Sequence, residues 1–400
     1  KTGAKIVYGP GANTSYDIHQ AADGEILKLG KIQIKVLHTP GHTLESSCFL
    51  LLDENGKQQA LFSGDTLFIG DVGRPDLAIR SDLTQFDLAG LLFDSLRNKV
   101  MTLNDGVIVY PAHGAGSACG KNMSSETWDT LGHQKLTNYA LRADMTRDEF
   151  IKEVTTGILP PPQYFAKNAM MNKTGYESLD SVMKRGSVPL DSDTFESIAN
   201  HEGALVLDTR SKEDYSSSHI PNSIFIGADG SFAPWVGALI PDLDQPIIFV
   251  AYEGKEEEMV IRLSRVGYDN TMGYLDGGIE AWKNEGRETD SVNSVSAQEL
   301  AKMASDNPLV IDCRKPGEFE AQSVKGAVSI PLDFLNDKFS EIDKGQTAYV
   351  HCKSGYRSLI FTSIMKARGY KNIVDILGGM AAIEQTDMPL EKFVCSSKKV

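Results

Sequence analysis

The sequence predicts an α/β multidomain chain, and three observations carry the prediction. Its second half repeats itself with a period of about 100 residues. Within each copy, short apolar runs alternate with helical patterns, as in a parallel sheet covered on both faces. The region before the repeat is patterned differently, as alternating strands joined by turns.

In that first region, residues 32–37 alternate as a strand. Residues 47–52 and 59–63 read as a strand pair joined by the turn Asp53-Glu54-Asn55-Gly56, and 107–110 as a further strand. Residues 86–93 and 146–151 carry helix signals. Pro160-Pro161-Pro162 closes the region, and 163–190, with Tyr164 and Phe165, reads as a linker. In the repeat, 204–210 recurs as 308–314, each copy ending in an Asp-x-Arg that fits the carboxyl edge of an open sheet. Residues 246–250 recur as 346–350, and 275–282 as 376–383. The expected domains are 1–162, a linker over 163–190, then 191–290 and 291–400.

Composition narrows the function classes. The net charge is −14 with no lysine or arginine run, so no footprint for nucleic acid is present. No apolar stretch is long enough to span a membrane, and the first residues lack the apolar core of a signal peptide. The five cysteines, Cys48, Cys119, Cys313, Cys352 and Cys395, are few, odd in number and scattered. They fit a reducing cytoplasm rather than a disulfide framework, so a cytoplasmic protein is expected, as a homo-oligomer.

The most informative segment runs from Val350 to Ser358. Cys352 leaves a strand, Lys353-Ser354-Gly355-Tyr356 forms a short loop, and Arg357 opens an apolar helix. A cysteine there faces backbone N–H groups and the positive end of a helix, which stabilise the thiolate that attacks. In the first region three candidate ligands, His42, Asp65 and His113, each follow a strand beside a glycine or proline. Imidazole plus carboxylate suits Zn²⁺, and two histidines with one carboxylate suit non-haem Fe(II).

Pro-Gly-His42, Gly-Asp65-Thr and Pro-Ala-His113 resemble the metallo-β-lactamase fold, an αββα sandwich. Gly73-Arg74-Pro75-Asp76-Leu77 and residues 136–162 resemble its persulfide dioxygenase branch, which uses mononuclear Fe(II). The resemblance implies His42 and Asp65 as two iron ligands. His113 matches the histidine that holds a second metal in the hydrolase branches. An early His-x-His-x-Asp-His cluster, which supplies the first iron ligand in that branch, is not present here, so a partial sandwich and metal site are expected. Cys119 either lines the metal pocket or packs.

The repeats resemble the rhodanese sulfurtransferases over about residues 190–290 and 291–395. The resemblance implies Cys352 as the nucleophile that becomes a persulfide, Ser354, Gly355 and Tyr356 as its loop, and Lys353 and Arg357 as cations that orient thiosulfate or sulfite oxygens. An arginine five residues after the cysteine favours sulfur; related phosphatases place it at six. In the first copy Tyr252 stands for the cysteine in a loop one residue shorter, and Glu253, Glu256, Glu257 and Glu258 repel anions, so a non-catalytic packing spacer is expected. Cys313 reads as a buried small residue ahead of a resolving partner for Cys352, and His351 has no catalytic role. The expected function is sulfur transfer through Cys352 among small-molecule persulfides, thiosulfate and sulfite, coupled to the iron domain. A glyoxalase II-type hydrolase, with zinc, and a non-catalytic sulfur carrier are the alternatives.

Overall fold

A computed structural model describes residues 3–77, 83–115, 117, 119–121, 123–158 and 164–392; Pro160-Pro161-Pro162 and Cys395 lie outside them. The chain forms two compact units: Lys1–Pro161 with Ala169–Gly175, and Pro162–Asn168 with Tyr176–Val400. No helix among the described residues is long and apolar enough to cross a membrane.

The first unit begins with a small parallel pair, β1 (Val7–Tyr8) and β2 (His19–Gln20). Its main sheet holds β3 (Ile26–Leu29), β4 (Ile32–His38), β5 (Ser47–Leu52), β6 (Gln58–Gly64), β7 (Ile108–Pro111) and β8 (Asp129–Thr130), in that spatial order. Alternation sets the buried face: Cys48, Leu50 and Leu52 of β5 point inward. Helices α1 (Gln85–Ser95), α2 (Leu131–Thr137) and α3 (Arg147–Thr155) follow. Thr84 with Asp87, and Thr146 with Glu149, cap α1 and α3 reciprocally. Leu92 and Phe150 join Leu50 and Leu61 in one core. The β4–β5 and β5–β6 pairs are antiparallel and β6–β7 is parallel. Strands β4, β6 and β7 therefore all end at the same edge, which brings the loops carrying His42, Asp65 and His113 together.

Helix α4 (Tyr164–Thr174), helix α5 (Leu179–Gly186) and strand β9 (Pro189–Leu190) occupy most of the segment expected to be a linker. That expectation is corrected. Val182 of α5 is fully buried in the core of the second unit, and β9 pairs in parallel with the later strand β13.

The first repeat continues with α6 (Ser192–His201), β10 (Leu205–Asp208), α7 (Lys212–Ser217), β11 (Ile224–Phe225), α8 (Phe232–Leu239), β12 (Ile247–Val250), α9 (Glu256–Ser264), β13 (Thr271–Leu275) and α10 (Gly278–Asn284). The second holds β14 (Ser294–Ser296), α11 (Ala297–Lys302), β15 (Leu309–Asp312), α12 (Pro316–Ala321), β16 (Gln322–Val324), β17 (Val328–Ser329), α13 (Leu335–Lys338), β18 (Ala348–His351), α14 (Tyr356–Ala367), β19 (Ile373–Leu377), α15 (Gly379–Ile383) and β20 (Leu390–Lys392). Their sheets have orders β11-β10-β12-β13-β9 and β17-β15-β18-β19-β14, parallel throughout, so the sequence repeat is a repeat of topology. The copies are not separate globules. Phe225, Phe232 and Trp235 of the first share one core with Ile330, Leu335 and Phe361 of the second. Ser363 Oγ accepts from the Phe225 N–H at 2.9 Å across that boundary.

Candidate active site and metal centre

Cys352 sits just past β18, where the chain turns into α14. Gly355 makes that turn at φ +103°, a conformation that disfavours side chains, and caps the helix. Its N–H donates to the Cys352 sulfur at 3.1 Å. The loop is pinned from behind by α15: Met380 N–H donates to the Cys352 carbonyl at 2.7 Å and Ala381 N–H to the Lys353 carbonyl at 3.1 Å. The approach requires glycine at 379, where a Cβ would lie 2.5 Å from the Cys352 carbonyl oxygen. In the first copy a Cβ at the matching Gly278 would lie 3.5 Å from the Ala251 carbonyl oxygen, an ordinary contact, so the close approach is particular to the nucleophile's loop.

The Cys352 thiol is pushed down to about 4. The Cys313 thiol, donating to its sulfur, is the largest cause; burial opposes it; the N–H groups of Ser358, Ser354 and Gly355 add to it. Cys313 thus stands in the site, in contact with the nucleophile, where the sequence favoured simple burial. The signal was the parallel pairing of β15 with β18, which no local motif carries.

The remaining loop residues divide. Lys353 and Ser354 are exposed at the loop. Tyr356 turns away from the sulfur: its hydroxyl donates to the Gly227 carbonyl at 2.8 Å and its ring packs on Phe225 of the other copy. It is a packing residue between copies. Arg357 does not present its guanidinium freely, because Nη1 and Nη2 both donate to Glu318, at 2.6 and 2.9 Å. That pairing holds the Glu318 carboxyl at about 2. A second cation comes instead from the first copy, where Lys212 Nζ donates to the Ser354 carbonyl at 3.3 Å. Sequence reasoning missed Glu318 and Lys212, which lie far from the loop in the chain. His351, fully buried, lies with Nε2 3.6 Å from Asp312.

The strand register corrects the comparison of the two loops. Asp208 pairs with Val250, and Asp312 with His351. Ala251, not Tyr252, therefore stands at the position of Cys352. The loop to α9 spans 251–255 against 352–355, one residue longer rather than shorter. Tyr252 is one place further on, where its hydroxyl donates to Asp214 and accepts from the Ser211 N–H at 3.0 Å. No nucleophile stands at either place. The Asp-x-Arg motif is structural in both copies rather than part of an edge site: Arg210 Nη2 reaches Asp208 and Arg314 Nη2 reaches Asp312, each buried and each at 2.6 Å.

In the first unit, Asp65 is the hub. His42 Nε2 lies 3.3 Å from its Oδ2, and His113 Nε2 lies 3.3 Å from its Oδ1. The His42 Nδ1–H donates to the Arg74 carbonyl at 2.9 Å, which in the neutral ring leaves the Nε2 lone pair facing Asp65, available to a cation. Gly73 makes room for this: a Cβ would meet the Asp65 carbonyl at 1.9 Å and the His42 ring at 3.0 Å. Cys119 joins the cluster, its ligand atom within 4.8 Å of those of Asp65 and His113. Burial works against the Asp65 charge, but hydrogen bonds from His113 and His42 outweigh it and hold the carboxyl well below its ordinary range. Asp65 in turn, with Cys119, raises His113 to about 10. Asp65 Oδ1 is nonetheless buried without a hydrogen bond of good geometry. An ionised carboxylate with an orphaned oxygen, between two imidazoles and a thiol, fits a divalent cation.

Residues 191–285 and 296–386 match the rhodanese-like domain family. The chain is similar to a protein named "Probable hydroxyacylglutathione hydrolase glo2" of Schizosaccharomyces pombe, 33% identical over 144 residues, covering 36% of this chain and 51% of that one. It is similar to hydroxyacylglutathione hydrolase GloC of Haemophilus influenzae, 38% identical over 103 residues, covering 26% and 43%. The chain thus spans about half or less of the length of these relatives. A solved metallo-β-lactamase of Staphylococcus aureus subsp. aureus COL superposes with TM-score 0.57 at 29% identity, covering 68% of this chain and 76% of that one.

Proposed function

We propose that this chain, a metallo-β-lactamase-like domain joined to two rhodanese-like domains, is a sulfurtransferase that works through a persulfide on Cys352 and is coupled to persulfide oxidation at its metal centre. The observation that carries the first half is the Cys352 sulfur, held as a thiolate in a ring of backbone N–H groups. The thiolate attacks the outer sulfur of thiosulfate or of a small-molecule persulfide. The S–S bond breaks, sulfite or thiolate leaves with the electron pair, and Cys352 keeps the sulfur as a persulfide, cradled by the same N–H groups. Lys353 and Lys212 supply the positive charge that steers the anion, while Arg357 and Glu318 brace the loop. The test is intact mass after thiosulfate treatment: Cys352 gains the mass of one sulfur atom, and the reading fails if only another cysteine gains it.

His42, Asp65 and His113 would hold the divalent metal, with Cys119 beside them. Fe(II) is the proposed ion; bound there it would supply the redox chemistry by which dioxygen takes electrons from a persulfide sulfur on its way to sulfite. Asp65 faces His42 through Oδ2 and His113 through Oδ1, and the Arg74 carbonyl fixes the His42 tautomer. The coupling rests on chemistry, since sulfite from one domain is an acceptor for sulfur on the other. The relatives named as hydroxyacylglutathione hydrolases favour a second reading, a zinc-dependent thioester hydrolase. Metal analysis with oxygen-uptake and thioester assays separates the two: iron with uptake supports the first, zinc with hydrolysis the second. Asp65→Asn lowers metal content in either case.

A further inference from the structure

Cys313 ends the strand beside that of the nucleophile. Strands β15 and β18 run in parallel register, Asp312 opposite His351, and the Cys313 N–H donates to the His351 carbonyl at 2.9 Å. The next pair is Cys313 opposite Cys352, with both side chains on the same face. Neighbouring strands lie about 4.8 Å apart, within the Cα separation of about 4.4–6.8 Å that a disulfide spans. Both cysteines are free, and each is 1% exposed. In the first copy the matching pair is Thr209 and Ala251, where the Thr209 hydroxyl donates to the Val250 carbonyl at 2.9 Å. The paired sulfurs occur in the copy that carries the nucleophile.

We propose that Cys313 is a resolving nucleophile that discharges the Cys352 persulfide as hydrogen sulfide, giving the chain a thiol-dependent sulfide-releasing activity beside sulfur transfer. The inference rests on formation of the Cys352 persulfide. The Cys313 sulfur attacks Cys352 Sγ, and a Cys313–Cys352 bond forms. The bond from Sγ to the outer sulfur breaks, and that sulfur leaves with the electron pair and takes up the Cys313 proton. Persulfide plus thiol thus give disulfide plus hydrogen sulfide; Cys313 is oxidised and the outer sulfur reduced, with no further oxidant. Two equivalents of an external thiol then reduce the disulfide and restore both cysteines. A thiol fixed beside the persulfide has an effective concentration far above that of a free thiol. While Cys352 is a bare thiolate, burial and that neighbouring charge keep the Cys313 thiol protonated. Sulfur loading moves the charge outward from Sγ and removes that neighbouring charge, and the departing outer sulfur takes the proton that burial holds on Cys313.

The test loads the full chain with thiosulfate, removes the excess in the absence of thiols, and follows intact mass and free sulfide together. The wild type is expected to gain the mass of one sulfur, then fall to its starting mass less two hydrogens, with one equivalent of sulfide released and a Cys313–Cys352 cross-linked peptide pair. Cys313→Ser and Cys313→Ala are expected to hold the added sulfur and release no sulfide. A wild type that holds its sulfur as long as these variants overturns the inference alone, as does sulfide release without the cross-link. If Cys352 gains no sulfur in either the wild type or Cys313→Ser, the sulfurtransferase reading fails, and the inference with it.

Discussion

Replacing Cys313 by alanine removes the largest single support of the Cys352 thiolate. The wild-type thiol sits at about 4, and the neighbouring Cys313 thiol lowers it more than the N–H groups of Ser358, Ser354 and Gly355 do, against the opposing effect of burial. A hydrogen bond to a charged group contributes about 1.5–3 kcal/mol, and 1.36 kcal/mol corresponds to one pH unit, so the midpoint should rise by about one to two units. The sign follows from which form loses its partner: alanine destabilises the charged sulfur, so the thiol holds its proton to higher pH. Three backbone donors remain, so the variant is still a thiolate at neutral pH. The difference appears in acid, where the variant loses thiolate before the wild type does. Thiolate absorbance against pH measures this, with Cys352→Ser subtracted as the blank, and the rate of alkylation by iodoacetamide gives an independent profile. Cys313→Ser keeps a donor and should fall between the two. A wild-type midpoint near the ordinary thiol value of about 8.5, or an alanine variant that titrates with the wild type, would refute the reasoning.

The other predictions probe how the loop is held. Gly379→Ala places a Cβ 2.5 Å from the Cys352 carbonyl oxygen at φ +57°; it should cost about 1–3 kcal/mol in urea unfolding and raise the Cys352 midpoint as the loop shifts. Lys212→Ala should raise KM for thiosulfate several-fold and change kcat less in steady-state kinetics, because Lys212 touches the loop rather than the reacting sulfur. Arg357→Ala leaves Glu318 without its bidentate partner and should cost about 1 kcal/mol near neutral pH, measured by urea unfolding. The Glu318 carboxyl is depressed from 4.5 to about 2, so in the wild type this contribution is complete above 4.5 and fades as pH falls toward 2. The gap between variant and wild type should close over that acid window.

What the sequence revealed and what it hid follow from one property of parallel sheets. The repeat was legible because central strands such as β12, buried on every side chain, leave continuous apolar runs. The nucleophile was legible because strand end, loop and helix start are contiguous in the chain. The comparison of loops slipped by one residue, since apolar runs align almost equally well one step apart, while the hydrogen-bonded register admits one pairing and sets Ala251 against Cys352. The neighbours of Cys352 were hidden for a different reason. In a parallel sheet adjacent strands are joined by a crossover, so residues side by side at the carboxyl edge are separated by a whole strand–helix unit. Cys313 reaches the site across one crossover, Glu318 from the helix that follows it, and Lys212 from the other copy. The same separation explains the duplicated fold. A copy without a nucleophile can still supply a cation over the loop through Lys212 and a seat for Tyr356 at Gly227, so its retention follows from what it does to the neighbouring site rather than from chemistry of its own.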